Sequence, residues 1–272
     1  MNIKDIRTED IEEATRLSPE NWSHIAPRIE FYIKHNFCHS IKLIDKEEIL
    51  GIGTLVLFKN TSWIGHLIVK DGCRGNGYGK KILEYLCEYA KSNGHKTISL
   101  FTTDIGYPLY LKYGFEVQTE YVQYEKIPDE TPDKTIETYN ANINIKNIET
   151  KDYEKILKID RVAAGEDRSE LLLSFTNNGF VYKQKNEVTG FYLSNLGEGL
   201  VIAENEEAGV ELLKLRASTK KQAIVPIDNI AGNNYCSANN FKEIAKVKKM
   251  MYGEKIKGQY ENIYNRATGS SG

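Results

Sequence analysis

Residues 2–17 read NIKDIRTEDIEEATRL, and residues 144–159 read NIKNIETKDYEKILKI. Asn, Ile, Lys, Ile, Thr, Asp and Glu match in place, and the echo continues in order. IKLIDKEEILGIG (41–53) parallels FVYKQKNEVTGFY (180–192), TISLFTTDI (97–105) parallels AIVPIDNI (223–230), and Phe115 parallels Phe241. One matching stretch is weak evidence, whereas several in register argue for a duplicated domain. The seam KIPDETPDKTIET (126–138) is polar and holds two prolines, as a linker should. The expected organisation is a first domain at 1–126, a linker at 127–142, a second domain at 143–258 and a tail at 259–272. The tail ends in ATGSSG, which reads as a small polar extension and in part a cloning remnant.

Each copy reads as β-α-α-β-β-β-α-β-α-β. In the first, strands are expected at 3–7, 40–45, 49–58, 62–70, 97–102 and 116–125. Helices are expected at 8–17, 19–36, 78–92 and 106–113. The 78–92 helix places apolar residues 82, 83, 86, 87 and 90 on one face and stops at Ser-Asn-Gly. The fold class is α/β (α+β): two tandem domains, each a twisted mixed sheet flanked by helices.

Between a strand and that helix lies CRGNGYGKK (73–81). Its glycines at 75, 77 and 79 fall one position short of the dinucleotide fingerprint G-x-G-x-x-G. It also lacks the Ser or Thr and the first glycine of a Walker A loop. Arg74, Gly77 and Gly79 fit R-x-x-G-x-G. Glycines there let the backbone adopt positive φ and approach a ligand closely, and helix N-terminal amides favour an anion. Arg74 and Lys80 add full charges. The ligand expected on physical grounds is a pyrophosphate.

With the strand HLIVKDG before it and PLYLKYGF (108–115) after it, the chain resembles the GCN5-related N-acetyltransferase (GNAT) superfamily. The resemblance implies acetyl-coenzyme A, or another acyl-CoA, as donor and no metal. The pyrophosphate would lie on Arg74, Gly75, Asn76, Gly77, Tyr78, Gly79 and Lys80. The pantetheine arm would run along Leu67, Ile68 and Val69 beside a splayed neighbouring strand, with Thr103 as a further contact. An amide near Val69 would receive the carbonyl oxygen. The activity implied is N-acetyl transfer to a primary amine by direct attack, on a small molecule or a peptide. The alternative is a non-catalytic acyl-CoA binding or regulatory protein.

In the family pattern the tyrosine of Tyr-x-x-x-Gly-Phe protonates the departing thiolate, and it maps onto Tyr110. A phenol with a pKa near ~10 stays protonated at neutral pH. Read without the motif, Tyr110 is equally a packing aromatic. For the base, His66 lies on the strand before the loop, although a strand side chain there can equally face the core. Glu30 and His24, in helices expected to wall the acceptor site, are further candidates. His35, Cys38 and His39 share a helical face by spacing, but no complementary ligand pair stands elsewhere, so a metal is not expected.

The second copy lacks the loop. LVIAENEEAGVELL (200–213) is shorter than LIVKDGCRGNGYGKKIL (67–83), and Glu204, Glu206 and Glu207 stand where the first copy has Arg and Lys. Carboxylates at a helix N-terminus stabilise the helix but repel a pyrophosphate. Cys236 stands opposite Tyr110, so the second domain is not expected to bind CoA. It keeps DRVAAGEDRSELL (160–172), which resembles the signature of the GNAT-like C-terminal domain in two-domain bacterial acetyltransferases. Gly165 and Asp167 read as helix punctuation. Asp160 and Arg168 are left for an ion pair or for gripping an acceptor.

The net charge of -2 gives no bulk attraction to nucleic acid or anionic membrane. No apolar run approaches a membrane span, the N-terminus is too polar for a signal peptide, and the four cysteines show no CxxC spacing. A cytoplasmic protein with free thiols is expected, with a homodimer left open.

Overall fold

A computed structural model describes residues 1–19, 25–127 and 142–272. The chain divides into two compact units. Unit 1 holds Met1–Glu116, Met250–Lys255 and Gly269–Ser271, and unit 2 holds Val117–Lys249, Ile256–Thr268 and Gly272.

In unit 1 the elements are β1 (Asn2–Asp5), α1 (Ile11–Thr15), α2 (Ala26–Lys34), β2 (Cys38–Asp45), β3 (Glu48–Leu57), β4 (Thr61–Val69), α3 (Tyr78–Ser92), β5 (Thr97–Thr102) and α4 (Tyr107–Tyr113). The strands pair in the order β1-β2-β3-β4-β5. The first three pairings are antiparallel and β4–β5 is parallel, so the sheet is mixed. Helix α3 covers one face. Ile82, Leu83, Leu86, Cys87 and Ala90, the expected stripe, are all fully buried. Close approach of that helix needs small residues beneath it. A Cβ on Gly51 or Gly53 of β3 would come within 2.8 or 2.6 Å of the Ile82 side chain. Helices α1 and α2 cover the opposite face through Ala14, Leu17, Ile25 and Ile29, packed with Ile49, Ile52 and Ile68.

Unit 2 carries β6 (Glu116–Lys126), from Val117 onward, then β7 (Ile145–Asn147), α5 (Tyr153–Ala164), α6 (Ser169–Leu173), β8 (Phe180–Gln184), β9 (Glu187–Leu193), β10 (Leu200–Ala203), α7 (Glu206–Ala217), β11 (Gln222–Pro226), α8 (Ile230–Ala238), most of β12 (Phe241–Gly253) and β13 (Ile263–Asn265). The repeated element order of the sequence is therefore present in full. Its first feature recurs in atomic detail. The Asp10 carboxylate accepts the Arg7 N–H at 2.8 Å, and Asp152 accepts the Glu149 N–H at 3.1 Å, each closing a 3-10 turn before the helix.

Three expectations change. The strand at 116–125 was read as closing the first copy, but from Val117 it belongs to unit 2, where it pairs with β11. Met250–Lys255 belong to unit 1, where Thr97 Oγ1 donates to the Glu254 carbonyl at 2.6 Å and Tyr252 packs on Tyr113 and Phe115. Two copies with one element order offer two similar edges, and a strand's own pattern does not say which edge it takes. Residues 259–272, read as a tail outside the fold, include β13, and Asn265, Ala267, Ser270 and Ser271 are buried. Finally, His35, Cys38 and His39 share no helical face, because α2 stops at Lys34 and Cys38 opens β2. Among the described residues no cluster of His, Cys, Asp or Glu is placed to hold a metal. No described helix is long and apolar enough to cross a membrane. Residues 128–141 of the expected linker at 127–142, and His24, lie outside the described residues.

Candidate active site

Strand β4 is irregular where the site is expected. Opposite β3, Thr54 pairs with Gly65 and Ile52 with Ile68, so His66 and Leu67 together oppose Gly53. One extra residue in one strand is a β-bulge, and it re-aims the side chains beyond it. Ile64 packs on the α3 side and Ile68 on the α2 side, although residues four apart in a regular strand share a face. His66 takes φ 49°, the left-handed region, which is costly for a residue with a Cβ and is found where surroundings impose it. On its other edge β4 pairs with β5 only from Thr61 to Ile64. Beyond Ile64 the two parallel strands no longer pair, so Leu67, Ile68 and Val69 have no pairing with β5.

The glycine loop follows. Gly72, Gly75 and Gly77 have φ of 77°, 82° and 80°, and a Cβ on any of them would meet nothing within 4 Å. They serve backbone conformation, and the space over them is open. Helix α3 starts with Gly77 as its N-cap, with no capping side chain and no acidic residue in its first turn. Among the described residues none of the N–H groups of residues 75–80 donates to a main-chain acceptor. Arg74 and Lys80 are exposed and only loosely paired, with Asp71 at 3.5 Å and Glu84 at 3.4 Å. Open amides, a helix N-terminus and exposed cations are the features that favour an anion.

Three elements meet at Gly79. A Cβ there would lie 3.5 Å from Leu109 of α4, 3.6 Å from Val69 and 3.7 Å from Leu67 of β4. The start of α3, the splayed end of β4 and α4 therefore converge. Next to Leu109 on α4 is Tyr110, buried against Phe115 with ring centroids 5.8 Å apart. Its hydroxyl has no protein hydrogen-bond partner among the described residues. Burial, aided by Cys87 nearby, raises its pKa well above the usual phenol value, so it holds its proton at neutral pH. Thr103 is exposed at the end of β5, and its carbonyl accepts the Gly106 and Tyr107 amides at 3.1 Å.

On the α2 side, His66 Nδ1 lies 3.1 Å from the Tyr32 hydroxyl, which in turn lies 2.7 Å from Ser270 Oγ. His66 keeps some exposed surface yet has protein on most sides. Burial first, and the Arg28 charge second, lower its pKa to about 4. The imidazole is neutral at pH 7. Glu30 is exposed on α2 and pairs with Lys34 at 3.9 Å, outside this hydrogen-bonded chain. Nothing in the sequence marks Tyr32 or Ser270 as part of such a chain. Tyr32 resembled any helix-face aromatic, and Ser270 sat in the segment set aside as tail.

Asp160 and Arg168 of unit 2 do not line an open site. Their side chains are 2% and 1% exposed, and Arg168 donates from Nη2 to Asp160 Oδ1 at 2.6 Å and from Nε to Oδ2 at 3.2 Å. Burial acts to lower the Arg168 pKa, but Asp160, with Glu166 and Tyr121 behind it, makes the net shift upward. The pair is structural, joining α5 to the start of α6, and neither partner is available to grip an acceptor.

The corresponding region of the second copy differs in its cap, its charges and its strand edge. Asn205 caps α7, its side chain accepting the Ala208 N–H at 3.0 Å, with Glu206 and Glu207 in the first turn. Strand β10 pairs regularly with β9 from Leu200 to Ala203. Its other edge is filled by β13, with Val201 opposite Asn265 and Ile202 opposite Ile263. Asn265 also accepts the Ile224 N–H of β11 at 2.7 Å and donates to the Gly199 carbonyl at 2.9 Å. A Cβ on Gly209 of α7 would overlap the Tyr264 ring. The place beside β10 that corresponds to the end of β4 not paired with β5 is occupied by the chain itself.

Two family models match the chain. The acetyltransferase (GNAT) family matches residues 4–115, and an acetyltransferase (GNAT) domain matches residues 156–265. The chain belongs to the GNAT acetyltransferases and carries two such domains in tandem. Among solved structures it is similar to a candidate acetyltransferase from Pyrococcus horikoshii, with TM-score 0.82 and 20% identity over 100% of this chain and 95% of that one. It is also similar to a conserved protein of unknown function from Enterococcus faecalis V583, described as a probable N-acyltransferase. That match has TM-score 0.56 and 14% identity over 93% of this chain and 72% of the other. Both likenesses concern the fold. No curated protein matches the chain.

Proposed function

We propose that unit 1 transfers an acetyl group from acetyl-CoA to a primary amine by direct attack. The observation that carries this reading is the convergence at Gly79, where an uncapped glycine-turned helix N-terminus, a splayed strand and the helix bearing Tyr110 meet. Residues 74–80 hold the pyrophosphate through amides and the two cations. The backbone of Leu67, Ile68 and Val69 pairs with the amide-rich arm as an added strand would. His66, neutral at pH 7, accepts the proton that the amine sheds as it bonds to the acetyl carbon. Tyr110 donates its proton to the sulfur as the carbon–sulfur bond breaks. The raised Tyr110 pKa keeps that proton in place before the step and favours its return afterwards.

The test is thiol release from acetyl-CoA across a panel of amines. Tyr110→Phe is expected to lower kcat by roughly 10²-fold, the usual scale of a lost general acid, with the KM for acetyl-CoA little changed. Donor binding without turnover on any amine would favour a binding or regulatory protein instead.

A further inference from the structure

We infer that Gly106 is a positioning residue for this site: the hydroxyl end of the Tyr110 ring lies against the place where a side chain at 106 would stand, so the lack of one fixes where that hydroxyl sits. The inference rests on the reading of Tyr110 as the proton donor. The contacts behind it stand without that reading.

The backbone does not require glycine at 106. Gly106 is the N-cap of α4 with φ -82° and ψ -25°, in the right-handed helical region open to every residue. What singles it out is space. A Cβ there would lie 2.8 Å from Thr102 Oγ1, 3.0 Å from Tyr110 Cε2 and 3.7 Å from Tyr110 Cδ2. Carbon atoms pack at about 3.5–4.0 Å, so the first two neighbours are too close. Cε2 is bonded to the carbon that bears the hydroxyl, and it is nearer than Cδ2. The pressure of an added methyl would therefore fall on the reactive end of the ring.

Of the three groups that meet here, the ring is the one that yields. The Gly106 backbone is held on both sides. Its N–H donates to the Thr103 carbonyl at 3.1 Å, and its own carbonyl accepts the Leu109 N–H at 3.1 Å and the Tyr110 N–H at 3.4 Å. Thr102 is buried, and its β-branched side chain is stiff about χ1. Its hydroxyl donates to the same Thr103 carbonyl at 2.8 Å. The Tyr110 ring is held by packing, edge-on to Phe115 and within the apolar cluster that includes Leu83, Leu86 and Cys87 of α3. A ring placed by packing shifts more readily than neighbours placed by hydrogen bonds. A catalytic group misplaced by about 1 Å costs on the order of 10²-fold in rate, so a shift of a few tenths of that is felt at the hydroxyl.

The experiment combines ¹H–¹³C NMR of the Tyr110 ring in the full chain with turnover by thiol release. Gly106→Ala is expected to shift the Tyr110 ring resonances and to lower kcat by about 10-fold, with the KM for acetyl-CoA unchanged. In a Tyr110→Phe background the same change is expected to add nothing, because no hydroxyl is left to misplace. Combining Gly106→Ala with Thr102→Ala removes the 2.8 Å contact and gives the new methyl room, so the ring resonances and kcat are expected to return toward wild type. Wild-type ring resonances in Gly106→Ala overturn the inference, whatever the turnover. So does an undiminished kcat in Gly106→Ala while Tyr110→Phe is impaired, and so does an equal fall in both backgrounds. Unimpaired turnover in Tyr110→Phe overturns the proton donor itself, and the ring resonances tell that failure apart from failure of the seat.

Discussion

Several residues singled out by type alone take their role from burial. Asp160 and Arg168 stand in a motif that invites a ligand, yet each is the other's ligand. Such a pair gains little against an apolar replacement, but breaking it removes the partner that holds a buried charge by two hydrogen bonds. Asp160→Asn is therefore expected to cost about 3–5 kcal/mol of unfolding free energy, read by denaturant titration, with acceptor KM unaffected in the protein that remains folded. A changed KM at unchanged stability would restore the acceptor role. Tyr110 and His66 show the same lesson with opposite results. Burial raises one pKa and lowers the other, and in both cases the neutral form is favoured at pH 7. A neutral phenol is an acid and a neutral imidazole is a base, which is the pairing that amine acylation needs.

At the scale of elements, the proposed donor site is a set of irregularities. A bulge turns His66 out of β4, parallel pairing ends at Ile64, and three glycines with positive φ carry the chain into α3 without a cap. Each would be a defect in a purely structural domain. A Cβ at Gly77 would touch no protein atom, so Gly77→Glu is sterically allowed in the folded protein, although φ 80° strains it by about 1–2 kcal/mol. Its carboxylate would enter the space proposed for the pyrophosphate. Acetyl-CoA affinity is expected to drop at least about 10-fold, equivalent to roughly 1.4 kcal/mol, with circular dichroism unchanged. Calorimetry showing wild-type affinity would remove the loop from the donor site. Strand β13 is the counterpart in unit 2, where it completes the sheet edge that unit 1 leaves open.

For the whole molecule, the proposed function gives one donor site from two copies. Unit 2 lacks the loop, carries glutamates and an Asn cap where unit 1 has open amides, and fills the slot beside β10 with its own strand. Titration with acetyl-CoA is expected to give one site per chain, and a stoichiometry of two would show that β13 yields to ligand. The Pyrococcus horikoshii structure spans the chain from end to end at 20% identity, so the tandem architecture is shared across wide sequence divergence.

Much of this was legible in the sequence because it depends on local periodicity. The duplicated NIK segments, the α3 stripe from Ile82 to Ala90 and the spacing of Arg74, Gly77 and Gly79 each specify their own element. The loss of that loop near Glu206 is equally plain. What only the tertiary structure decided involves contacts between residues far apart in the chain. The Ser270–Tyr32–His66 chain joins residues 270, 32 and 66 across an irregular strand, and no periodicity announces it. The bulge at His66 is one extra residue in a strand with no alternating pattern to mark it, and β13 hides in a segment whose composition suggests a tail. Closing strands β6 and β12 follow the same logic. Patterning determines that a segment is a strand and which face it buries, whereas the edge it joins depends on which partner buries it best, and that is settled only when the whole chain is packed.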